Sequence, residues 1–193
     1  MSDIKLVVGL GNPGRKYEGT RHNVGFEVLA ELTRRHGPLK LKSAFRGEVA
    51  DVNIALANGA GQRLLLLWPQ TYMNLSGASV LEARDFYKLS NDNILIVCDD
   101  FNLPLAKLRV RPSGSAGGQK GLDNIILRLG TEDVPRLRIG VGPVPEHFNG
   151  ADFVLGKFTR QEIPEVKESL VRAAEAVETW ARDDIQLCMN RFN

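Results

Sequence analysis

The chain has 193 residues, of which 43% are hydrophobic and 25% charged, and its formal net charge is +2. This composition is typical of a soluble globular protein, and the length leads us to expect a single domain over residues 1–193. A chain that is disordered throughout is excluded, and the longest apolar run, residues 64–68, is too short to span a membrane. The near-neutral charge also argues against a histone-like nucleic-acid binder.

The two cysteines, Cys98 and Cys188, lie far apart in the sequence and match no metal-binding or redox spacing. We expect two reduced, mostly buried thiols. The first residues lack the basic start and the apolar block of a secretion signal. These features predict a cytoplasmic protein.

Strands and helices are predicted to alternate along the chain. We expect strands over residues 4–10, 45–57, 63–68, 94–98 and 137–141. Helices are expected over residues 24–36, 75–87, 117–129 and from the capping-box sequence at 159–162 onward. Asn23 is predicted to cap the first helix and Gly37-Pro38 to end it, while residues 58–61 form a hairpin turn. This order predicts an α/β fold, a three-layer sandwich whose mixed twisted sheet has helices on both faces.

Two glycine-rich segments resemble nucleotide-binding loops but do not fit them. Residues 9–14 match GxGxxG after a strand, yet Pro13 and a polar stretch delay the next helix by about ten residues, so its N-terminus cannot meet a pyrophosphate. Residues 114–121 have the composition of a phosphate loop, but Gln119 rather than glycine precedes Lys120. We therefore expect neither a dinucleotide fold nor a nucleotide-hydrolysing loop.

Polar residues are concentrated in three segments, residues 11–23, 69–74 and 99–100, that each follow a predicted strand. In open α/β sheets such segments meet outside the carboxyl ends of the strands, so they could form one cleft. A carboxylate there is costly unless it is paired, and the imidazole of His22 is its natural partner. Asp99 or Asp100 could be that carboxylate, and a turn-capping role is the alternative for both.

This pairing would leave one imidazole nitrogen of His22 free to act as a general base. No serine or cysteine nucleophile accompanies His22, so water would attack an ester or amide. Asn12 and Asn74 could donate hydrogen bonds to the substrate carbonyl and its oxyanion, or could equally be turn and cap residues. Three scattered histidines and no paired His/Glu spacing predict no metal site and no cofactor.

Basic residues alternate with apolar ones near the middle of the chain. On an extended segment Lys107, Arg109 and Arg111 would share one face, about 7 Å apart. Arg136 and Arg138 show the same alternation. The pattern suits the phosphates of a nucleic-acid strand, and a solvated strand face is the alternative.

Taken together, these segments resemble the bacterial-type peptidyl-tRNA hydrolase family over nearly the whole chain. The matching stretches lie at residues 8–14, Tyr17, 20–25, 69–77, 99–104, 114–118, 121–122, 136–142 and 189–193. The resemblance implies a monomeric, cytoplasmic, metal-free enzyme that hydrolyses the ester joining a peptide to the 3′ ribose of tRNA. Peptidyl-tRNA is thus the implied partner, with no membrane contact.

The resemblance also implies roles for single residues. His22 matches the catalytic base, Asp99 the carboxylate that orients it, and Asn12 an asparagine that positions water. The implied substrate-binding residues are Tyr17, Tyr72, Met73, Asn74 and Lys120. The implied tRNA-binding residues are Arg109, Arg111 and Arg138.

The chain departs from the family at residues 117–121, where the family often has Gly-Gly-His-Asn-Gly and this chain has Gln119 and Lys120. A lysine donates hydrogen bonds but cannot accept them. We expect Lys120 in the first turn of the helix, with its ammonium reaching the cleft. Two alternative functions stay open: a catalytically weakened RNA-binding relative, as in plant organellar splicing, and an esterase acting on small esters.

Overall fold

The computed structural model describes residues 4–37, 39–57 and 59–193. The strands are β1 (Ile4–Gly9), β2 (Lys42–Ala44), β3 (Gly47–Ala55), β4 (Gly61–Pro69), β5 (Ile94–Asp100), β6 (Leu108–Arg111) and β7 (Arg136–Gly140). The helices are α1 (Val24–His36), α2 (Ser76–Tyr87), α3 (Lys120–Leu129), α4 (Gly150–Leu155), α5 (Ile163–Arg182) and α6 (Ile185–Phe192). The expected helix stop at Pro38 and the expected turn at Asn58 involve positions outside these described residues.

Within the described residues one mixed sheet has the strand order β2-β3-β4-β1-β5-β7-β6. The central strands β4, β1, β5 and β7 are parallel, whereas β2, β3 and β6 pair antiparallel. The parallel strands are rich in fully buried apolar residues because both of their faces are covered. All four of their carboxyl ends therefore lie at the same edge of the sheet.

Hydrophobic cores lie on both faces of this sheet. One joins the sheet to α1, α5 and α6, and Trp180 is its largest fully buried apolar side chain. The other joins the sheet to α2 and α3 through residues such as Val80 and Ile125. The predicted fold class, a three-layer α/β sandwich with a mixed sheet, is confirmed.

Several predicted boundaries differ from the structure by two or three residues, and two of the differences have a clear physical cause. The strand expected from residue 45 begins at Gly47, because Phe45 and Arg46, both with φ of 52°, form a tight turn back to β2. The dipeptide Phe-Arg is not typical of such a turn, because a positive φ is strained for residues with large side chains. The packing of Phe45 against Phe86, with ring centroids 5.4 Å apart, offsets this strain. The helix expected from residue 117 begins at Lys120, since Gln119 caps it.

The sequence patterns also missed β2 and two short helices, α4 and α6. Each helix begins after a side chain that accepts a backbone hydrogen bond: Asn149 accepts the N–H of Ala151 before α4, and Asp184 accepts the N–H of Leu187 before α6. Helices of six and eight residues hold too few turns for a hydrophobic period to stand out. The α4 helix matters for function because it lines the cleft described below.

A close contact between α1 and the sheet fixes where α1 begins. A Cβ atom at Gly25 would lie 2.4 Å from both the Leu10 nitrogen and the Val97 oxygen. Only glycine allows the first turn of α1 to approach the backbone just after β1 and in the middle of β5 this closely. The residues just before α1 are thereby held at the carboxyl edge of the sheet.

We predict that Gly25→Ala destabilises the protein by about 1–3 kcal/mol, because the methyl group has no space. Replacing glycine by alanine within a helix normally raises stability, so a loss of stability in Gly25→Ala would be diagnostic of the close contact. Urea unfolding measures it, and Glu27→Ala on the exposed side of the same turn should stay within about 0.5 kcal/mol of the wild type. Unchanged or raised stability of Gly25→Ala would contradict the close contact.

Candidate active site

A histidine and a carboxylate meet at the carboxyl edge of the sheet. His22 lies in a short 3₁₀ turn, Arg21–Asn23, just before α1, and Asp99 is near the end of β5. Nδ1 of His22 is 2.9 Å from both carboxylate oxygens of Asp99. Asp99 is 2% exposed and His22 9%. With its proton on Nδ1 donated to Asp99, the ring has a free Nε2.

Asp100 has other partners, which resolves the choice between the two aspartates. Its Oδ1 accepts the backbone N–H of Asn102 at 2.8 Å, and its Oδ2 accepts a hydrogen bond from Nη1 of Arg138 at 3.1 Å. Consecutive residues of a strand point to opposite faces, so only one of the two can face His22. Asp99 is that residue.

The side chain of Asn12 has one defined orientation. Its oxygen accepts the backbone N–H of Met73 at 2.8 Å, so the amide nitrogen is its other end, and this nitrogen makes no hydrogen bond within the described residues. The backbone of Asn12 is held on both sides by the Asn23 side chain, through two bonds of 2.9 Å. Asn23 occupies the expected N-cap position of α1, but its side chain makes no capping hydrogen bond and binds the backbone of Asn12 instead.

These groups face a cleft of about 630 Å³. Its polar wall consists of Asn12, His22, Asn74, Asp99, Gln119 and Lys120. Its apolar wall includes Met73, Leu75, Phe101, Val154 and Leu155, the last two from α4. The cleft thus places an apolar surface beside hydrogen-bond donors, which suits a ligand with both kinds of group.

The expected substrate-binding residues do not all meet in this cleft. Tyr72, which is 56% exposed, and Lys120, the first residue of α3, line it together with Met73 and Asn74. Tyr17 is not among its lining residues. The Tyr17 ring instead stacks under the Lys16 ammonium, 4.7 Å from the ring centroid.

The expected basic surface is smaller than the sequence suggests. Arg109 and Arg111 are exposed on the edge strand β6, where they alternate with buried Leu108 and Val110. Arg136 is fully buried and donates to the carbonyls of a loop, so its assignment to this surface is wrong.

Arg138 lies directly opposite Arg109 in the sheet register, and its side chain is 15% exposed. It is bonded to Asp100 and to the carbonyl of Ser115. Its contact with tRNA stays a prediction. Through its bond to Asp100, Arg138 on β7 is linked to the residue next to Asp99.

Arg21 holds the catalytic turn in place, a function that the sequence analysis missed. Both oxygens of Glu162 accept hydrogen bonds from its Nη2, at 2.8 and 2.9 Å, and its Nη1 donates to the Lys157 carbonyl. The guanidinium group lies between the rings of Phe153 and Phe158, 4.5 and 4.9 Å from their centroids. A lysine ammonium cannot stack on these rings while it donates to both Glu162 and the Lys157 carbonyl, so the position requires arginine.

Glu162 joins this arrangement to the start of α5. It also accepts the backbone N–H of Thr159, and the Thr159 hydroxyl accepts the N–H of Glu162, so the predicted capping box is confirmed. Burial acts to raise the pKa of Glu162, but the hydrogen bonds from Thr159 and Arg21 outweigh it and lower that pKa. The segment before α5 and the turn that holds His22 therefore form one unit.

Neither cysteine can supply a nucleophile. Cys98 precedes Asp99 but is fully buried, and burial raises the pKa of its thiol to about 12. Burial likewise raises the pKa of Cys188 to about 11. Both thiols are free and buried, as predicted.

Residues 4–37, 39–57 and 59–193 contain no group of three or more His, Cys, Asp or Glu side chains placed to hold a metal ion. In the same part of the chain, no helix has the length and apolar character needed to cross a membrane.

A histidine oriented by a buried carboxylate, in a cleft at the carboxyl ends of parallel strands, defines a hydrolase-type general-base site. The family model described as peptidyl-tRNA hydrolase matches residues 6–193. The chain belongs to the peptidyl-tRNA hydrolase family and is a hydrolase.

Individual members of the family are similar over nearly their full length. The peptidyl-tRNA hydrolase of Rhodopirellula baltica is 48% identical over 190 residues, which are 98% of this chain and 97% of that protein. The one from Alkaliphilus oremlandii is 44% identical over 98% of this chain and all of its own. The crystal structure of the Acinetobacter baumannii enzyme has a TM-score of 0.89 at 34% identity and covers 100% of this chain and 96% of its own.

We predict that Arg21→Lys lowers the free energy of unfolding by roughly 1–3 kcal/mol, because lysine cannot keep the hydrogen bonds to both Glu162 and the Lys157 carbonyl together with the stacking. The folded pKa of Glu162 lies below its ordinary value of 4.5. The pair therefore stabilises the fold above that pH, and its contribution is lost as the pH falls through the folded value. The difference in the free energy of unfolding between the wild type and Arg21→Lys should therefore be smaller at acidic pH.

Urea unfolding at neutral pH and again below about pH 4 measures this difference. The control is Arg160→Lys, an exposed position in the same segment. Equal stability of Arg21→Lys and wild type at neutral pH would show that the pair does not hold the turn.

Proposed function

We propose that this protein hydrolyses the ester bond between a peptide, or an N-blocked aminoacyl group, and the 3′ ribose of tRNA, which returns free tRNA to translation. The relatives at 44–48% identity carry the name of this activity. The single observation that carries the proposal is the pair of 2.9 Å contacts between Nδ1 of His22 and the buried Asp99, beside an open cleft.

In the proposed mechanism His22 acts as the general base. Its Nε2 takes a proton from water while the water oxygen attacks the ester carbonyl, and the carbonyl electron pair moves onto oxygen. The tetrahedral intermediate then collapses, the bond to the ribose oxygen breaks, and the imidazolium returns the proton to that oxygen. Asp99 keeps the proton of the neutral ring on Nδ1 and stabilises the imidazolium that forms.

Hydrogen-bond donors around the cleft would stabilise the oxyanion and hold the peptide. The free amide nitrogen of Asn12 is one, since Met73 already occupies the oxygen of that side chain. Asn74 is an exposed residue of the same polar wall, and Lys120 lies at the start of α3. A cation at Lys120 would favour the negative charge that develops on the carbonyl oxygen. Met73 and Tyr72 offer apolar contact to the peptide.

The tRNA would lie along β6. Arg109 and Arg111 are the exposed cations of this strand, and we assign them to successive phosphates. Arg138 faces the same side of the sheet but is bonded to Asp100, so we give it a supporting part in the same surface. Tyr17, near the catalytic turn, would contact substrate outside the cleft itself.

We also propose that the enzyme works in the cytoplasm as a monomer, with residues 1–193 as one domain and without a metal ion. The cleft is formed by one chain, and its histidine–carboxylate pair supplies the base that a metal-bound hydroxide would otherwise provide. Two unpaired thiols suit a reducing compartment.

Cleavage of N-acetyl-aminoacyl-tRNA, with and without a chelator, tests this function. We expect turnover that the chelator does not change. Tight RNA binding without turnover would instead favour the RNA-binding alternative, whose surface needs no base. Activity on small esters that is insensitive to salt, with none on tRNA, would favour the small-ester esterase.

We predict that His22→Ala lowers kcat by roughly 10²–10⁴-fold while the Kd for uncleaved tRNA stays nearly unchanged, because the residue supplies a base rather than binding energy. Asp99→Asn should also lower kcat, since an amide cannot hold the ring in the same tautomer. The matched control is Asp100→Asn, whose oxygen can still accept the Asn102 N–H. A larger kcat loss in Asp100→Asn than in Asp99→Asn would reverse the assignment of the carboxylates.

We predict that Arg109→Ala and Arg111→Ala mainly raise KM for whole tRNA and spare a short peptidyl-ribose fragment. Each lost phosphate contact should flatten the slope of log K against log salt by about 0.7–0.9. Titrations at several salt concentrations measure the slope. Arg172→Ala removes an exposed arginine of α5, on the other face of the sheet, and should leave it unchanged. Unchanged slopes for both Arg109→Ala and Arg111→Ala would show that this face of β6 is merely solvated and does not contact phosphates.

A further inference from the structure

Gln119 is a buried amide whose two ends are both used. It is the N-cap residue of α3 and is 6% exposed. Its oxygen accepts the backbone N–H of Leu122 at 2.7 Å, and its nitrogen donates to Oδ1 of Asp99 at 3.0 Å. The side chain thus connects the first turn of a helix to the carboxylate that pairs with His22.

The orientation of this amide follows from its partners. A backbone N–H can be satisfied only by an acceptor, so the oxygen of Gln119 must face Leu122 and its nitrogen must face Asp99. The same nitrogen lies 3.2 Å from the sulfur of Met73, which is a weak acceptor. An amide does not titrate, so the donor toward Asp99 is present at every pH.

Asp99 depends on this donor because few other groups reach it. Both of its oxygens contact Nδ1 of His22, and Gln119 supplies the further side-chain donor at Oδ1. A carboxylate held only by the imidazole could rotate together with the ring. A second donor from a different element fixes the plane of the carboxylate independently of His22.

We propose that Gln119 is a positioning residue for the reaction: it fixes the carboxylate of Asp99, and through it the direction in which Nε2 of His22 faces the cleft. The inference rests on the proposed function. The N–H of Leu122 in the first turn of α3 orients the amide of Gln119. The amide in turn orients the carboxylate of Asp99, and the carboxylate orients the ring of His22.

The other titratable and charged groups around this cluster are few. On β5, Asp100 is paired with Arg138, and Cys98 is fully buried. Lys120 and Tyr72 line the cleft, and the Arg21 guanidinium is bonded to Glu162. A new charge at position 119 would therefore act mainly on Asp99 and His22.

The decisive variant is Gln119→Glu, which keeps the size of the side chain and an oxygen for Leu122 but replaces the donor with an anion. We expect kcat on N-acetyl-aminoacyl-tRNA to fall by about tenfold or more with KM nearly unchanged. We expect the rise of activity with pH to move upward, because a second carboxylate favours the protonated imidazole. The melting temperature should fall as well, because a second carboxylate is buried beside Asp99; the pH profile, rather than stability, is therefore the readout of positioning.

Two further variants separate positioning from a merely structural cap. Gln119→Leu loses both bonds and should lose stability as well as kcat. Gln186→Glu on α6 adds the same charge at an exposed site and should change neither kcat nor the pH profile. A Gln119→Glu enzyme with wild-type kcat and pH profile would overturn the proposal and leave Gln119 as a helix cap.

Nitrogen NMR of the His22 ring gives a readout that does not depend on turnover. The wild type should show the tautomer with the proton on Nδ1, and Gln119→Glu should disturb that signal. If the wild type cleaves no tRNA ester but the signal still responds to Gln119→Glu, the proposed function fails and the positioning inference holds. If the His22 ring signal is the same in the wild type and in Gln119→Glu, the inference is overturned, whatever the activity of the two proteins.

Discussion

The bond between His22 and Asp99 is the constraint on which the rest of the site depends. A carboxylate that is 2% exposed is costly to bury, and it is tolerated here because the imidazole and the amide of Gln119 donate to it. Asp100, its neighbour in β5, is kept away by a turn at Asn102 and by Arg138. Two adjacent acids thus serve opposite faces of one strand, one for the cleft and one for the basic edge.

The fold meets this constraint from several directions. The contact at Gly25 brings the first turn of α1 against the backbone of Leu10 and Val97, where no side chain larger than that of glycine fits. Arg21 holds the same turn from the other side through Glu162. Asn23 uses both ends of its amide on the backbone of Asn12. Each residue of the turn 21–23 therefore has a separate partner.

Much of this could be predicted from the sequence, and the failures have physical causes. Apolar runs predicted the buried parallel strands, and helical periodicity predicted the long helices α1, α2 and α5. Polar residues after the strand ends indicated the cleft. Asn23 was correctly placed at the N-cap of α1, but an asparagine there usually bonds to its own helix, and no local rule indicated that its side chain would bond to Asn12. Gln119 was noticed only as a residue that does not fit a phosphate loop or the family pattern, since no local rule indicates that an amide reaches a carboxylate twenty positions away. Arg136 looked like its neighbour Arg138 because alternation along a strand does not reveal what covers each residue.

The partnership of Arg21 with Glu162 has a consequence for how the enzyme comes into being. The histidine is made early in synthesis, but the residues that hold its turn come from the last third of the chain, and so does the start of α5 that Glu162 caps. A nascent chain that ends before this segment already contains His22, Asp99 and Gln119, yet the turn lacks its outer support. Because domains complete their folding as units, the geometry of the site becomes final only when Lys157 and Glu162 have been made and have docked against Arg21. His22 is thus among the first functional residues to be made, and its turn acquires full support only from residues that are made much later.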